Sequence, residues 1–261
     1  MGFGLIVVGD EILSGRRQDK HFSKVVELLG ARGLQLDWAE FVGDDPPRLT
    51  ATLQRSFAGK DVVFSCGGIG ATPDDHTRQC AAAALGLPLV LHPEGRRNIE
   101  ERIRETAREA GREPDFDAPD NLQRLKMAEF PQGAELIPNP YNRIAGFTVG
   151  DHHFVPGFPV MAWPMIEWVL ETRYAHLFHA EAHEERSLLV FEAAEAALTP
   201  LMEALQRDYP GVRVFSLPSV GDAQTRRHIE LGVKGEPAQV TAAFAAMRSE
   251  LERRGAEIGP V

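Results

Sequence analysis

The sequence predicts an α/β protein: a three-layer α/β/α domain on a mostly parallel sheet, followed by a small α+β domain. Three observations lead to this fold class. Short apolar strands alternate with amphipathic helices in the first half of the chain. Glycine-rich turns directly follow two of these strands. The strand and helix pattern then starts again after residue 183, as expected for a second domain.

The first half contains three strands and four helices. Its continuous apolar runs are typical of strands buried on both faces, and its amphipathic stretches end in glycine or begin with proline. The predicted strands cover residues 3–8, 34–42 and 62–64, and the predicted helices cover 22–31, a stretch from about 46 to 57, 76–85 and 93–110. Because strands and helices alternate, we expect right-handed crossovers and a sheet covered by helices on both faces.

The segment after residue 110 is less regular. Residues 111–120 are polar and predict a loop, and residues 135–137, 147–149 and 153–155 predict short strands between proline and asparagine turns. The adjacent His152 and His153 should point to opposite faces of their strand. A helical stripe over residues 160–179 is predicted to close the first domain.

The chain is predicted to divide into residues 1–183 and residues 184–261. The second domain has the order βαββα, with strands at 187–191, 211–217 and 228–233 and helices at 199–209 and 237–254. This order is typical of a small α+β sandwich of ferredoxin-like outline.

Composition narrows the class of protein. The 261 residues carry 28 basic and 38 acidic side chains, a net charge of −10, and the acidity is spread along the chain. With no basic block, a nucleic-acid partner is not expected. No apolar run is long enough to span a membrane, and the opening residues lack the features of a signal peptide. With only Cys66 and Cys80, the sequence predicts a cytoplasmic protein without a disulfide framework.

Two turns at the carboxyl ends of predicted parallel strands are the candidate site, because ligands of open α/β sheets bind there. The first covers residues 9–15 and the second residues 65–77. In the second turn, Gly67, Gly68 and Gly70 allow positive φ and close approach of a ligand. A helix starting at about residues 73–75 would direct free N–H groups at the same space, which suits a phosphate. The alternative is an ordinary strand–helix turn that uses glycine for tightness.

Four carboxylates should gather at the same edge: Asp10, Glu11, Asp74 and Asp75. They would repel a phosphate unless positive charge compensates. A divalent metal such as Mg²⁺ is one source, and the neighbouring basic side chains are another: Arg16, Arg17, Lys20 and Arg78. Helix capping would account for Asp74 and Asp75, but it would leave Asp10 and Glu11 unexplained.

The two turns together resemble a known family. Gly9-Asp10-Glu11-Ile12-Leu13-x-Gly15 and Gly67-Gly68-x-Gly70-x-x-x-Asp74-Asp75-x-Thr77 are similar to the molybdenum-cofactor-biosynthesis (MoaB/Mog) domain, in its CinA-like amino-terminal variant. Further similarity lies in Asn139-Pro140, Gly146-Phe147 and Pro156-Gly157-Phe158-Pro159, and the resemblance covers about residues 3–170.

The resemblance implies a three-layer fold that binds the phosphate and pterin of molybdopterin at the glycine-rich turns. By matching position, Asp10 and Asp75 would be the functional carboxylates and the candidate metal ligands. The remaining ligand-binding positions that it implies are Gly9, Glu11, Ser14, Gly67, Gly68, Gly70, Asp74, Thr77, Pro156 and Gly157. Relatives often self-associate, so a homo-oligomer is expected.

The chain also departs from the CinA-like pattern. Residues 141–145 read Tyr-Asn-Arg-Ile-Ala, Met161 stands in place of a glutamate, and His21 replaces an asparagine. Three functions therefore remain open. The first is binding of a pterin or nucleotide phosphate, the second is divalent-metal-dependent hydrolysis of a nucleotide pyrophosphate such as ADP-ribose or FAD, and the third is a non-catalytic interaction module. The missing acid weighs against the hydrolase.

Overall fold

The computed structural model describes residues 1–180, 184–221 and 225–261, which form two compact units, Met1–Phe178 and His179–Val261. The predicted boundary at residue 183 lies outside the described residues. No helix in these ranges is both long and apolar enough to cross a membrane.

The first unit is built on a six-stranded sheet with the order β2-β1-β3-β8-β7-β6. The first four strands in this order are parallel, and β7 and β6 add antiparallel pairs at one side. The strands are β1 (Phe3–Val8), β2 (Trp38–Val42), β3 (Val62–Cys66), β6 (Glu135–Ile137), β7 (Gly146–Val149) and β8 (His152–Val155). This arrangement confirms the predicted mostly parallel sheet.

Helices cover both faces of this sheet. Apolar residues of α2 and α7 pack on one face, where they meet Leu5 and Phe64. Residues of α3 and α4 pack on the other face, where they meet Ile6 and Val63. Every side chain of β1 and β3 is buried because both faces are covered. The helices are α1 (Asp10–Leu13), α2 (His21–Gly30), α3 (Pro46–Phe57), α4 (Thr77–Leu85) and α7 (Pro159–Val169).

A smaller substructure follows α4. Strands β4 (Leu89–Leu91) and β5 (Glu129–Pro131) pair antiparallel, and α5 (Pro93–Glu109) and α6 (Pro119–Lys126) lie between them in the chain. Ile99 and Ile103 of α5 pack with Met127 and Ala128 in a separate apolar cluster.

The second unit is a four-stranded antiparallel sheet with two helices. Its sheet order is β10-β11-β9-β12, and its core joins both helices to β9, β10 and β11. The elements are β9 (Glu184–Phe191), α8 (Glu195–Asp208), β10 (Val212–Ser219), β11 (His228–Gly235), α9 (Pro237–Arg253) and β12 (Ile258–Gly259). The small α+β fold is therefore confirmed.

Several predicted boundaries were wrong. The helix predicted over 160–179 ends at Val169, continues as one π-helical turn at Leu170–Tyr174 and a 3₁₀ turn at Ala175–Leu177, and gives way to positive φ at His179. The second strand starts only at Trp38. Five short elements were not predicted, because stretches of two to eight residues carry too little periodicity: α1, β4, α6, β5 and β12.

Candidate functional site

The carboxyl ends of the four parallel strands meet at one edge of the sheet. The turn after β1 is joined to β2 by the N–H of Gly9, which donates to the carbonyl of Val42 at 3.0 Å. The turn after β3 is joined to β8 by the N–H of Gly67, which donates to the carbonyl of Val155 at 3.0 Å. The two turns identified in the sequence therefore lie at neighbouring strand ends, together with the turns that follow β2 and β8.

The second turn requires glycine because other parts of the protein lie too close for a side chain. Gly67 has φ 110° and Gly68 has φ 67°, in the region that favours glycine. A Cβ on Gly67 would overlap the carbonyl oxygen of Val8, and one on Gly68 would overlap the hydroxyl of Thr77. Gly157 also packs close by, because its Cβ would lie 3.4 Å from the Cα of Gly67. These glycines let three segments of backbone meet at the site.

The same turn carries a run of backbone donors without acceptors. Across the described residues, no hydrogen bond is donated by the N–H groups of Gly68, Ile69, Gly70 or Ala71. Successive free N–H groups in a turn form concave sites that attract anions. Residues 68–71 are therefore the part of the site best suited to a phosphate.

Thr77 secures this turn. Its side chain is fully buried, its hydroxyl donates to the carbonyl of Gly67 at 3.0 Å, and its N–H donates to the carbonyl of Gly68 at 2.9 Å. Thr77 is also the first residue of α4, which begins one residue after the predicted residue 76 and later than the start at 73–75 that was expected to direct N–H groups at the site. The contacts of Thr77 hold the turn in shape.

Acidic side chains cluster beside the first turn. The N–H of Asp10 donates to Oδ2 of Asp44 at 2.8 Å, and the N–H of Asp44 donates to Oδ1 of Asp10 at 3.2 Å. Partial burial raises the pKa of the Asp44 carboxyl, and the charges of Asp10, Glu11 and Asp74 raise this pKa further, although the hydrogen bond from the N–H of Asp10 opposes them. Three of the four predicted acids, Asp10, Glu11 and Asp74, therefore act on the carboxyl of Asp44, which was not among the predicted acids.

Asp75 has different neighbours. Its Oδ2 accepts hydrogen bonds from the N–H and the hydroxyl of Thr72, and a Cβ on Gly70 would lie 2.5 Å from the same oxygen. Its charge acts on Arg78 of α4. The structure thus places Asp75 with Thr72, Gly70 and Arg78, and Asp10 with Asp44.

Among the described residues, the side chains at this edge do not form a complete set of ligands for a divalent metal. Within residues 1–180, 184–221 and 225–261, no group of three or more His, Cys, Asp or Glu residues is arranged to hold a metal ion. The pair Asp10 and Asp44 offers two carboxylates, each with one oxygen already accepting a backbone N–H. The metal role of Asp10 and Asp75 stays a prediction.

The remaining predicted positions lie around this edge. Gly9 is buried, with the Glu11 carboxylate next to it, and Ser14 is exposed at the end of α1. Pro156 is half-buried after β8, and Gly157 accepts a hydrogen bond from Nε2 of the buried His21 over 3.0 Å.

Asp44 was not among the acids predicted for this edge. The cap of α3 is its neighbour Asp45, which accepts the N–H of Arg48 at 2.9 Å. The available signal for Asp44 was its position two residues after a parallel strand, which places it at the same sheet edge as Asp10.

Cys66 lies at this edge but is not exposed to it. Its side chain is fully buried at the end of β3, and burial raises the pKa of its thiol far above the ordinary value.

Comparison with known proteins gives consistent matches. A family model described as a probable molybdopterin binding domain matches residues 4–176. A CinA-like protein of Anaeromyxobacter sp. (strain Fw109-5) is 32% identical over 250 residues, which cover 88% of this chain and 58% of that protein. A CinA-like protein of Anaeromyxobacter sp. (strain K) is 34% identical over 252 residues, with 89% and 59% covered. The chain thus spans somewhat more than half the length of these relatives.

A solved structure shares the fold over about two thirds of the chain. The CinA protein of unknown function from Thermoplasma acidophilum aligns with a TM-score of 0.54 and 26% identity, over 65% of this chain and 96% of that one. This similarity agrees with the three-layer arrangement described above.

Proposed function

The chain belongs to the molybdopterin-binding domain family of MoaB/Mog and CinA-like proteins, and we propose that it binds the phosphate of a pterin or nucleotide at the turn between β3 and α4. The observation that carries this proposal is the run of four free backbone N–H groups at residues 68–71. Charge-assisted hydrogen bonds from backbone N–H groups to phosphate oxygens are among the stronger hydrogen bonds in proteins.

Basic side chains near the first turn can offset the negative charge of the acids at this edge, so that a ligand with a phosphate can bind. Arg16, Arg17 and Lys20 are exposed on the segment after α1, and none of them forms an ion pair with a described residue. These side chains can balance the acids Asp10, Glu11, Asp44 and Asp74. Molybdopterin would be held by the 68–71 N–H groups through its phosphate, and it would supply the dithiolene that binds molybdenum. We propose that the protein acts in the cytoplasm as a homo-oligomer, as the family resemblance implies.

Titration calorimetry with molybdopterin and with its adenylylated form tests the proposal. Ala71→Pro removes one free N–H from an exposed position, while Ala71→Ser keeps it and serves as the matched control. We expect the proline variant to bind about tenfold more weakly, which corresponds to about 1.4 kcal/mol, and the serine variant to bind like the wild type. Absence of binding to the wild-type protein at high micromolar ligand would overturn the proposal.

A nucleotide pyrophosphatase is the second candidate function. The observation in its favour is the repulsion among Asp10, Glu11, Asp44 and Asp74, which a bound cation would relieve. Against it, Met161 occupies the position of the family's glutamate and accepts a hydrogen bond through its sulfur from Asn142 at 3.4 Å. AMP release from ADP-ribose or FAD with Mg²⁺ or Mn²⁺, lost in Asp10→Asn and kept in Asp45→Asn, would support it. No release with any divalent ion would exclude it.

A further inference from the structure

Among the described residues, the helices of the second unit cover only one face of its sheet. Both α8 and α9 pack with Val190 of β9, Val212 of β10 and Leu231 of β11 in one apolar core. Because side chains alternate along a strand, the residues between these core positions point to the opposite face. We call this the open face, and it carries residues 185, 187, 189 and 191 of β9, 213, 215, 217 and 219 of β10, and 228, 230, 232 and 234 of β11.

Flat aromatic rings form part of the open face. The ring of Phe215 lies across Gly232, its register partner on β11, since a Cβ on Gly232 would overlap three atoms of that ring. The ring of Phe191 covers Gly259 of β12 in a similar way, because a Cβ there would lie 2.9 Å from it. Leu217 is 57% exposed on the neighbouring strand. A flat apolar surface of this kind suits packing against another sheet.

The charged side chains of the open face balance one another. Glu230 lies in its middle, where one carboxylate oxygen accepts the hydroxyl of Ser187 at 2.7 Å. Lys234 and Arg213 lie side by side at one end, with Glu185 beside Lys234 on β9. None of these four charged residues forms an ion pair with another described residue. Two acids and two bases leave the face without net charge, so it does not repel a surface of the same composition.

We propose that the open face binds the open face of a second copy of this chain, about a two-fold axis perpendicular to the strands. In this arrangement β11 of each copy lies antiparallel over β11 of the other, so that Glu230 of each copy comes near Lys234 of the other. The same symmetry places Phe215 over Leu217 of the second copy, and every contact forms twice. The inference rests on the self-association included in the proposed function, and it names the surface for it.

The size of the open face indicates a weak, reversible dimer. Three strands of eight residues present roughly 400 Å² of sheet on each copy, at about 4.8 Å between strands and about 3.3 Å per residue. Interfaces of this size lie in the range of transient association. We therefore expect a dissociation constant of roughly 10–100 μM for this contact.

Sedimentation velocity of the whole chain tests the apolar part of the contact. Leu217→Asp places a charge in the middle of the proposed interface, and Leu122→Asp, at a 46% exposed leucine of α6, is the matched control. Over about 1–300 μM protein we expect the wild type and the control to associate alike, and Leu217→Asp to associate at least tenfold more weakly. A thermal melt checks that each variant is folded.

A charge exchange tests the two-fold arrangement. Glu230→Lys and Lys234→Glu should each weaken association, because like charges then meet across the axis, and the double variant should restore it. A partner other than a second copy would not produce this restoration. If Leu217→Asp does not fold, these surface variants provide the test alone.

The outcomes distinguish this inference from the proposed function. Association that neither Leu217→Asp nor the single charge variants weaken would overturn the open-face contact alone. A double variant that stays as weak as the single ones would overturn the two-fold arrangement. A chain that is monomeric at every concentration would overturn self-association altogether, whereas titration with inorganic phosphate decides separately whether the 68–71 turn binds its ligand.

Discussion

Asp10 and Asp44 exchange hydrogen bonds across the ends of β1 and β2, each carboxylate accepting the backbone N–H of the other residue. The exchange fastens two turns of the site to each other. It also places two carboxylates side by side, with Glu11 and Asp74 acting on the same group. The hydrogen bonds of the pair therefore stabilise the backbone of the site, while the negative charges of Asp10 and Asp44 repel each other.

Asp44→Asn should stabilise the protein at neutral pH. The amide oxygen can still accept the N–H of Asp10, and the repulsion disappears. The pKa of Asp44 is raised in the folded state, so the folded protein loses stability as pH rises through that pKa and the carboxyl ionises. At low pH, where the carboxyl is protonated in both the folded and the unfolded state, Asp44 has no such effect on stability. We expect a gain of roughly 0.3–1 kcal/mol at pH 7 that vanishes below about pH 4, since the group is partly solvated.

Chemical denaturation at several pH values measures this gain. Asp45→Asn is the matched control, because asparagine also caps a helix and Asp45 does not act on Asp44. A loss of stability in Asp44→Asn at pH 7 would contradict the repulsion.

Gly67→Ala should be severely destabilising. Its φ of 110° disfavours a side chain, and the new Cβ would overlap the backbone oxygen of Val8, which cannot move without disturbing β1. We expect a cost of about 3 kcal/mol or more, or insoluble protein. Gly15→Ala is the control: φ is 72°, but the Cβ meets nothing within 4 Å, so the cost should be about 1 kcal/mol. Equal melting temperatures of the two variants would show that the Gly67 contact is unimportant.

The fold could be predicted where one pattern extends over a whole element. The apolar run of β1 and the stripe of α2 are long enough to indicate a covered parallel sheet, and glycine or proline marks their ends. The short β4 and β5 could not be predicted in this way, because each has only three residues and they pair across the intervening α5 and α6. The apolar stripe of α7 likewise continues to Tyr174, although the α-helix passes into a π-helical turn after Val169, which the stripe does not predict.

The site could be predicted in position and only partly in detail. Glycine and acidic residues after parallel strands identify the correct edge, because strand ends of a parallel sheet meet there. The partners of each acid depend on side-chain direction, which sequence spacing does not give. Asp10 therefore pairs with Asp44, and Asp75 turns to Thr72.

Substitutions of Thr77 test whether its hydroxyl holds the turn that carries the free N–H groups of residues 68–71. Thr77→Val removes the hydroxyl that donates to Gly67, and it leaves a buried carbonyl without that donor, so we expect a loss of about 1–3 kcal/mol in stability. Thr77→Ser keeps the donor and removes only a methyl group. Phosphate affinity, measured by calorimetry on folded protein, should fall in Thr77→Val and stay near wild type in Thr77→Ser. If both variants bind phosphate equally, the hydroxyl contact does not shape the turn.

The adjacent histidines of β8 make the first unit sensitive to acid. As predicted, they face opposite sides of the sheet: His152 contacts Ser56 and Phe57, and His153 lies between Thr148 and Tyr174. Burial lowers the pKa of His152 to about 4 and of His153 to about 3, from the ordinary 6.5. For His152 the charges of Asp151 and Asp61 partly oppose the shift, and for His153 the charge of Arg173 adds to it.

The free energy of unfolding should fall as pH falls from about 6.5 towards 4, because both histidines bind a proton in the unfolded chain while their buried rings stay neutral in the folded protein. Each histidine contributes a slope of up to about 1.4 kcal/mol per pH unit, and the two together about 2.7. His152→Gln and His153→Gln should each lower the free energy of unfolding at pH 7. Each should also remove the contribution of one histidine to the dependence of this free energy on pH, measured by urea unfolding from pH 7 to 5. His176→Gln, at an exposed histidine of the same unit, should keep the wild-type slope. A stability of the wild-type protein that does not fall between pH 6.5 and 5 would mean that the rings accept protons in the folded state.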